Sequence, residues 1–528
     1  MASTRASRYL RLAWFAFLML LLPVMAIGAD GTANKRLRFH GTPFEGPVPT
    51  ANCGPTDWTE TGLQGATTTA ERMSGLSELG FNCNLELVGQ YQGQGMKYMM
   101  TWFGDCAYMA QTNNPNFLRN NGVVVIDASN PRRPRPIQWL DSPSMRDPHE
   151  GLEVHAKRKI LAATQFGPGY GFAVYDLSTD CRMPRLASSI VLPRNPNTSP
   201  NAGADGGHAG SLSPDGKTYY GSHAFRGLGG IVSVVDLSDI NNAQSIMEWQ
   251  YPGDGRGHDY GFSPDGKTMY ANQPGQFGNP ITGSSYGPNG LVILDVSDIQ
   301  LRRPNPQIRA ISTHFWQDGG QGQQARPIWY NGVPHVVMTD EAGSGGSGGR
   351  EGACARGVNG FSGGFARIIN IADALHPEEV AKLMLDVQDV SNCAQELATD
   401  NGPGPNNYSS HYCSADRVRN PNVLACSWRD GGLRVFNIKD PYHPSEIAYY
   451  KPPARRTQFL PGSVIWSATA DRFIDHTPTV VRWHRYKDEI HLWFASQDNG
   501  FQIVTFTNEV LKGLIPDDEV FDNVTDGV

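Results

Sequence analysis

The chain has 528 residues, 39% of them hydrophobic and 18% charged, and a formal charge of −7. An acidic balance of this kind argues against nucleic acid as a partner. Its eight cysteines contain no CxxC spacing, which argues against a zinc ribbon or a thioredoxin-type redox motif.

At the start of the chain, Arg5, Arg8 and Arg11 precede the apolar run Leu12 to Ile27, and Gly28 and Ala29 follow it. Residues 1–29 therefore read as a signal peptide, with a retained anchor as the alternative. Its removal takes away three arginines and no acids, moving the formal charge from −7 to −10. No later stretch approaches the roughly 20 apolar residues needed to cross a bilayer. The expected product is exported, periplasmic or secreted, and its even cysteine count reads as disulfides. Cys413 would face Cys426 across a hairpin, with Cys393 as a rival partner.

An N-terminal extension is expected over 30–83, with one helix in TTTAERMSGLSEL from Thr67. Beyond it, one signature recurs: a glycine, a β-branched run, an Asp or Asn, then a turn rich in Ser, Asp and Pro. It appears as NGVVVIDASNPRRP from Asn121, GYGFAVYDLSTD from Gly169, GGIVSVVDLSDI from Gly229 and NGLVILDVSDI from Asn289. Further copies are GGFARIINIADALHP from Gly363, GGLRVFNIKDPYHP from Gly431 and NGFQIVTFTNEV from Asn499. Short β-rich units at this period predict propeller blades of four strands.

Within each blade the signature reads as strand C, preceded by an A–B hairpin and followed by a short outer strand D. The hairpin turn is SPDGK at Ser213 and Ser263, and RNPN at Arg419, which supply residues that tight reversals need. NLELVGQYQ from Asn84 reads as a D strand that completes the last blade. The prediction is all-β: a seven-bladed propeller over 84–510, closed by an N-terminal strand, with a tail at 511–528.

The elements NGVVVIDASNP and GGLRVFNIKDP, with the strand CAYMAQ from Cys106, resemble the LVIVD repeats of secreted bacterial β-propeller proteins. The resemblance covers about 84–507. It implies the fold and very little chemistry, because propellers host many functions.

Two series of side chains are expected at one mouth of the channel. The first lies at the start of strand A and holds His149, His208, His258, His411 and His476, with positions near Met96 and Gln324 in the other two blades. The second lies at the end of strand B and holds Gln111, Gln165, His223, Gln273, Asp340, Trp428 and Gln497. Imidazoles from several blades can meet on the axis and bind a transition metal, copper first among the candidates. Asp147, Glu150, Asp259, Glu341 and Asp475 sit beside these positions, where they could orient the imidazoles, form an acid/base pair or be plain solvated loop acids, the last being the plainer reading.

Each series has a plainer reading. A Gly-His pair before strand A is structural in WD-type propellers, Gln or Asp at a strand end often caps a turn, and Trp428 reads equally well as a structural wedge between blades. The glycine-rich loop from Glu341 to Gly364 could lid the mouth or be a passive insertion, with Cys354 pinning it. His208 and His223 should return to the same face, so their blade is the one expected to offer two ligands. Two functions follow: a binding or scaffold protein that presents the mouth, with Trp428 foremost, to a small-molecule ligand or protein partner; and a copper-type metal-dependent protein or oxidoreductase acting on a small molecule. No catalytic residue is assigned.

Overall fold

The computed structural model describes residues 41–521, apart from 112–121, 167–168, 194–206, 224–229, 252–256, 275–288, 317, 342–363, 393–407, 456–473, 517–518 and 520. It is a seven-bladed β-propeller in which every blade is built on a four-stranded antiparallel sheet. Blade 1 runs from strand A at Met100–Phe103 to strand D at Arg135–Leu140. Blade 2 begins at Glu153–His155, blade 3 at Ala209–Leu212 and blade 4 at Tyr260–Phe262. Blade 5 begins at Gln321–Tyr330 and blade 6 at Ser410–Ala415.

Blade 7 takes Arg482–Tyr486, Glu489–Ser496 and Gly500–Phe506 from the C-terminal part of the chain, and Leu85–Tyr91 as its strand D. The closure expected from NLELVGQYQ is therefore the one observed. It pairs the edge that the C-terminal strands would otherwise leave open.

The repeated signature has a local cause. Its acid or amide accepts a hydrogen bond from the backbone N–H two residues on, as Asp127 does from Ser129, Asp176 from Ser178, Asp236 from Ser238 and Asn437 from Lys439. This Asx turn ends strand C and starts the reversal to strand D. In all seven blades the C–D ladder then shifts register by a bulge, for example between Val125 and Ile126 and between Val435 and Phe436. A bulge at this point increases strand twist, so each blade leaves the axis twisted.

The C strands are buried on both faces, which is why they read as continuous apolar runs. The core fills the spaces between successive blades. Val435 and Ala448 of blade 6 meet Phe494 and Val504 of blade 7, and Val232 and Val234 of blade 3 meet Phe262 and Leu294 of blade 4.

The extension is joined to blade 6. Phe81–Cys83 pairs with its strand D, Ser445–Lys451, as a fifth strand. Glu60 and Glu446 both bind the buried Arg434 guanidinium, at 2.8 and 3.1 Å. The predicted helix is split: Thr69–Ser74, capped by Thr68 and Glu71, gives way at left-handed Gly75 to a short 3-10 turn, Leu76–Leu79.

Three disulfides are formed among the described residues: Cys53–Cys83, Cys106–Cys181 and Cys413–Cys426. Cys354, Cys393, the leader and the interior of the glycine-rich loop lie outside the described residues. No helix among the described residues is long and apolar enough to cross a membrane.

Candidate metal centre

The stretch DPHEG leads into strand A of blade 2. Gly151 N–H donates to the Pro148 carbonyl at 2.8 Å, closing a turn around His149 and Glu150. His149 sits at φ +49°, a left-handed conformation uncommon for a non-glycine residue. Strained backbone of this sort persists where its surroundings fix it, and they do so here. Tyr219 of blade 3 donates its hydroxyl to the Gly151 carbonyl at 2.6 Å, and Glu150 N–H donates to the His208 carbonyl at 3.0 Å. A Cβ on Gly151 would lie 2.5 Å from the Thr164 hydroxyl, so only glycine fits.

This turn delivers the Glu150 carboxylate to a point reached from three other blades. His208 Nε2 lies 3.1 Å and His258 Nε2 3.0 Å from Glu150 Oε2. His411 Nε2 lies 3.0 Å from Glu150 Oε1 and 3.4 Å from Glu341 Oε2. The rings are packed edge to face, with centroids 4.5 Å apart for His149 and His208 and 4.7 Å for His208 and His258. Ligand atoms of His149, Glu150 and His208 all lie within 4.8 Å of one another, and all three residues are buried.

His411 Nδ1 faces the carbonyl of Pro478, a pure acceptor, so this nitrogen carries the ring proton. Its Nε2 lies beside Glu150 and Glu341, and its lone pair accepts from Arg429. His149 Nδ1 is buried and makes no hydrogen bond among the described residues.

Arg429, buried behind the cluster, donates from Nη2 to His411 Nε2 at 2.7 Å and to Glu341, and from Nη1 to His476 Nε2 at 3.1 Å. His476 Nδ1 is held by Asp430 at 2.5 Å. The guanidinium thus meets the Nε2 lone pairs of both His411 and His476, and His476 is further fixed by Asp430.

The electrostatics follow from burial and proximity. Burial pushes the His149 imidazole well below its usual value, with His208 adding to the effect. Burial also lowers His208, against the pull of Glu150. Burial would lower His258 too, but Glu150 beside it outweighs that and raises it. Burial opposes ionisation of Glu150, yet His258, His208 and His411 hold its carboxyl well below the usual range. Glu341, opposed by burial and favoured by Arg429, is brought down to about 2. Two carboxylates therefore share one guanidinium, even before Asp430 is counted.

A wall of aromatic and basic side chains borders the cluster. Phe166 stacks on His149 at 4.0 Å, and Tyr98, itself at φ +60°, lies 4.3 Å from the same ring. Lys97 pairs with Asp147 at 2.5 Å and sits 5.7 Å from the Phe166 centroid.

The strand B series has other occupations. Gln111 accepts from the Trp139 indole at 2.6 Å, and Gln165 accepts from its neighbour Gly171 N–H. Asp340 accepts from Trp316 and meets Arg367, and burial pushes its carboxyl up to about 6. Gln273 is buried opposite Gly290, and Gln497 N–H donates to the His476 carbonyl. Trp428, for which the sequence leaves a ligand contact and a structural wedge equally open, is 0% exposed and packs against Phe436 inside blade 6, as the wedge reading has it. The His223 backbone pairs with Ile231, and its side chain lies outside the described residues.

Of the expected supporting acids, Glu150 stands at the centre and Glu341 beside it. Asp475 instead binds Ser496, Asn499 and the backbone of His476. Arg429 and Tyr98 were missed: the arginine follows Trp428 directly in sequence, and the tyrosine has no repeat counterpart.

No family model and no curated relative matches the chain. Among solved structures, it is similar to the β-propeller domain of Swd1 from Myceliophteria thermophila, with TM-score 0.46 and 12% identity over 80% of this chain and 100% of that one. It is also similar to a periplasmic gluconolactonase of Pseudomonas aeruginosa, with TM-score 0.43 and 14% identity over 81% of this chain and 99% of that one. These likenesses carry nothing about activity or compartment.

Proposed function

We propose that the chain is an exported β-propeller metalloprotein that binds a divalent first-row transition metal on its axis through His208, His258, His411 and Glu150, with His149 completing the set. A small molecule would meet the metal beside Tyr98 and Phe166. Imidazole with carboxylate suits copper, zinc, iron or nickel. The leader-like segment and the formed disulfides support export.

The observation that carries the reading is the convergence of the Nε2 atoms of His208, His258 and His411, from three blades, on the Glu150 carboxylate at 3.1, 3.0 and 3.0 Å. Ligands bound at about 2.1 Å and at right angles to one another lie about 3.0 Å apart, the spacing found for three imidazoles around Glu150. The excess of buried carboxylate favours a dication.

Elemental analysis of protein purified from its native compartment tests this. Near-stoichiometric metal that is lost in His208→Ala/His258→Ala supports the reading. Metal-free native protein that also fails to take up added Cu²⁺ or Zn²⁺ would leave a structural polar plug, and the function would revert to that of a binding or scaffold protein for a ligand or partner.

A further inference from the structure

Three residues further along the A strands lies a second polar tier: Glu153 follows Glu150 in blade 2, and Ser414 follows His411 in blade 6. Arg326, from strand A of blade 5, lies 3.5 Å from Glu153 and 3.4 Å from Asp259, and donates to the Tyr260 carbonyl at 3.3 Å. Beside Glu153 and Arg326 is a cavity also lined by Thr101, Trp102 and Ser414, with room for about one water. The hydroxyls of Thr101 and Ser414 are buried and make no hydrogen bond among the described residues. Apolar voids stay dry, but unpartnered hydroxyls beside a carboxyl and a guanidinium offer a water the partners it needs.

The two carboxyls are not equivalent. Asp259 accepts from the Ser211 hydroxyl at 2.5 Å and from Tyr260 N–H at 2.7 Å, in addition to meeting Arg326. Glu153 has the shared guanidinium alone among the described residues, at 3.5 Å. One guanidinium cannot neutralise both, and the carboxylate with fewer donors is the costlier to ionise.

We infer that Glu153 is a neutral carboxylic acid, donating its proton in a hydrogen bond to a water held by Thr101 and Ser414, so that the propeller axis carries a proton store directly behind the metal site. Burial supports this by pushing the Glu153 carboxyl up to about 8, with Arg326 opposing and Asp259 adding. The remaining titratable neighbour, Tyr219, donates to the Gly151 carbonyl. When Glu153 gives up its proton, the axis gains one negative charge near the cation. Coupling to the metal rests on the reading above; the acid and its water do not.

Infrared spectroscopy of the full chain tests the acid by itself. Because Asp498 is also raised to about 8, the carboxylic C=O intensity at pH 7 is expected to drop in Glu153→Gln, with the lost component shifted in Thr101→Val and fading as pH rises through about 8. A spectrum without such a band, or one that Glu153→Gln leaves intact, overturns the inference. Zn²⁺ titration at pH 7 and pH 9 tests the coupling: affinity should rise more in the wild type than in Glu153→Gln. Equal rises overturn the coupling. Absence of Zn²⁺ binding in both proteins would sink the metal reading while the infrared result still judged Glu153.

Discussion

His411 Nε2 lies 3.0 Å from Glu150 Oε1, although the one proton of a neutral His411 is already directed through Nδ1 at the Pro478 carbonyl. The two residues belong to different blades, Arg429 already donates to that Nε2 at 2.7 Å, and on the proposed reading the metal takes the place of this donor. His411→Ala should therefore weaken binding of added Zn²⁺ or Cu²⁺ by at least about tenfold. His476→Ala, which removes the imidazole engaged by Arg429, should have a smaller effect. Isothermal titration of both variants separates ligand from support, and an equal loss in the two would contradict this division.

Trp428 provides a contrasting case. As a fully buried wedge against Phe436, its truncation to alanine should destabilise the protein by about 3–5 kcal/mol in denaturant unfolding. Metal content of the folded variant should stay at the wild-type level. A stable variant with altered ligand binding would restore the contact role expected from the sequence.

Lys451 gives a stability signature in pH. Its ammonium group donates to the Ala66 carbonyl at 2.7 Å and lies 3.5 Å from Glu60, and burial, opposed by Glu60, lowers it from 10.5 to about 8. Between those values the unfolded chain holds a proton that the folded chain lacks, so raising the pH through the window stabilises the fold at this residue. Lys451→Met removes that dependence. The stability of the variant relative to wild type should fall steadily from pH 8 to pH 10 in urea unfolding, and a constant difference would count against a depressed Lys451.

The disulfide Cys106–Cys181 spans 75 residues and ties strand B of blade 1 to the turn before strand D of blade 2. Loop-closure entropy for that span amounts to about 4 kcal/mol. The double variant Cys106→Ala/Cys181→Ala should lose a comparable amount by denaturant unfolding, with the propeller fold and the metal site retained. A loss under about 1 kcal/mol would show that the blade contacts already constrain this part of the unfolded chain.

The blades were legible because one physical unit is written seven times: a buried C strand, an Asx turn and a reversal. The ends of the B strands could likewise be read to within one residue. Convergence was harder to read, since it depends on where each A strand enters the ring. The five histidines expected at the start of strand A do not share one position: His411 lies inside its strand while His149, His208, His258 and His476 precede theirs, and His411, His208 and His258 reach one carboxylate while His476 meets Arg429 and Asp430. Glu150 was taken for a supporting acid because a left-handed turn at His149 leaves no mark in the pattern DPHEG. The strand Phe81–Cys83 is only three residues long, too short to show a period.

Strand D of blade 7 comes from Leu85–Tyr91, while the strand it pairs with ends at Phe506. The earliest propeller strand to be synthesised must wait for the last before either has its partner. The imidazoles and Glu150 are drawn from residues 149 to 411, so they too cannot assemble until most of the ring exists. On the proposed reading, a metal centre of this construction would be filled where the ring closes, and for an exported chain the ion would be drawn from the supply at its destination.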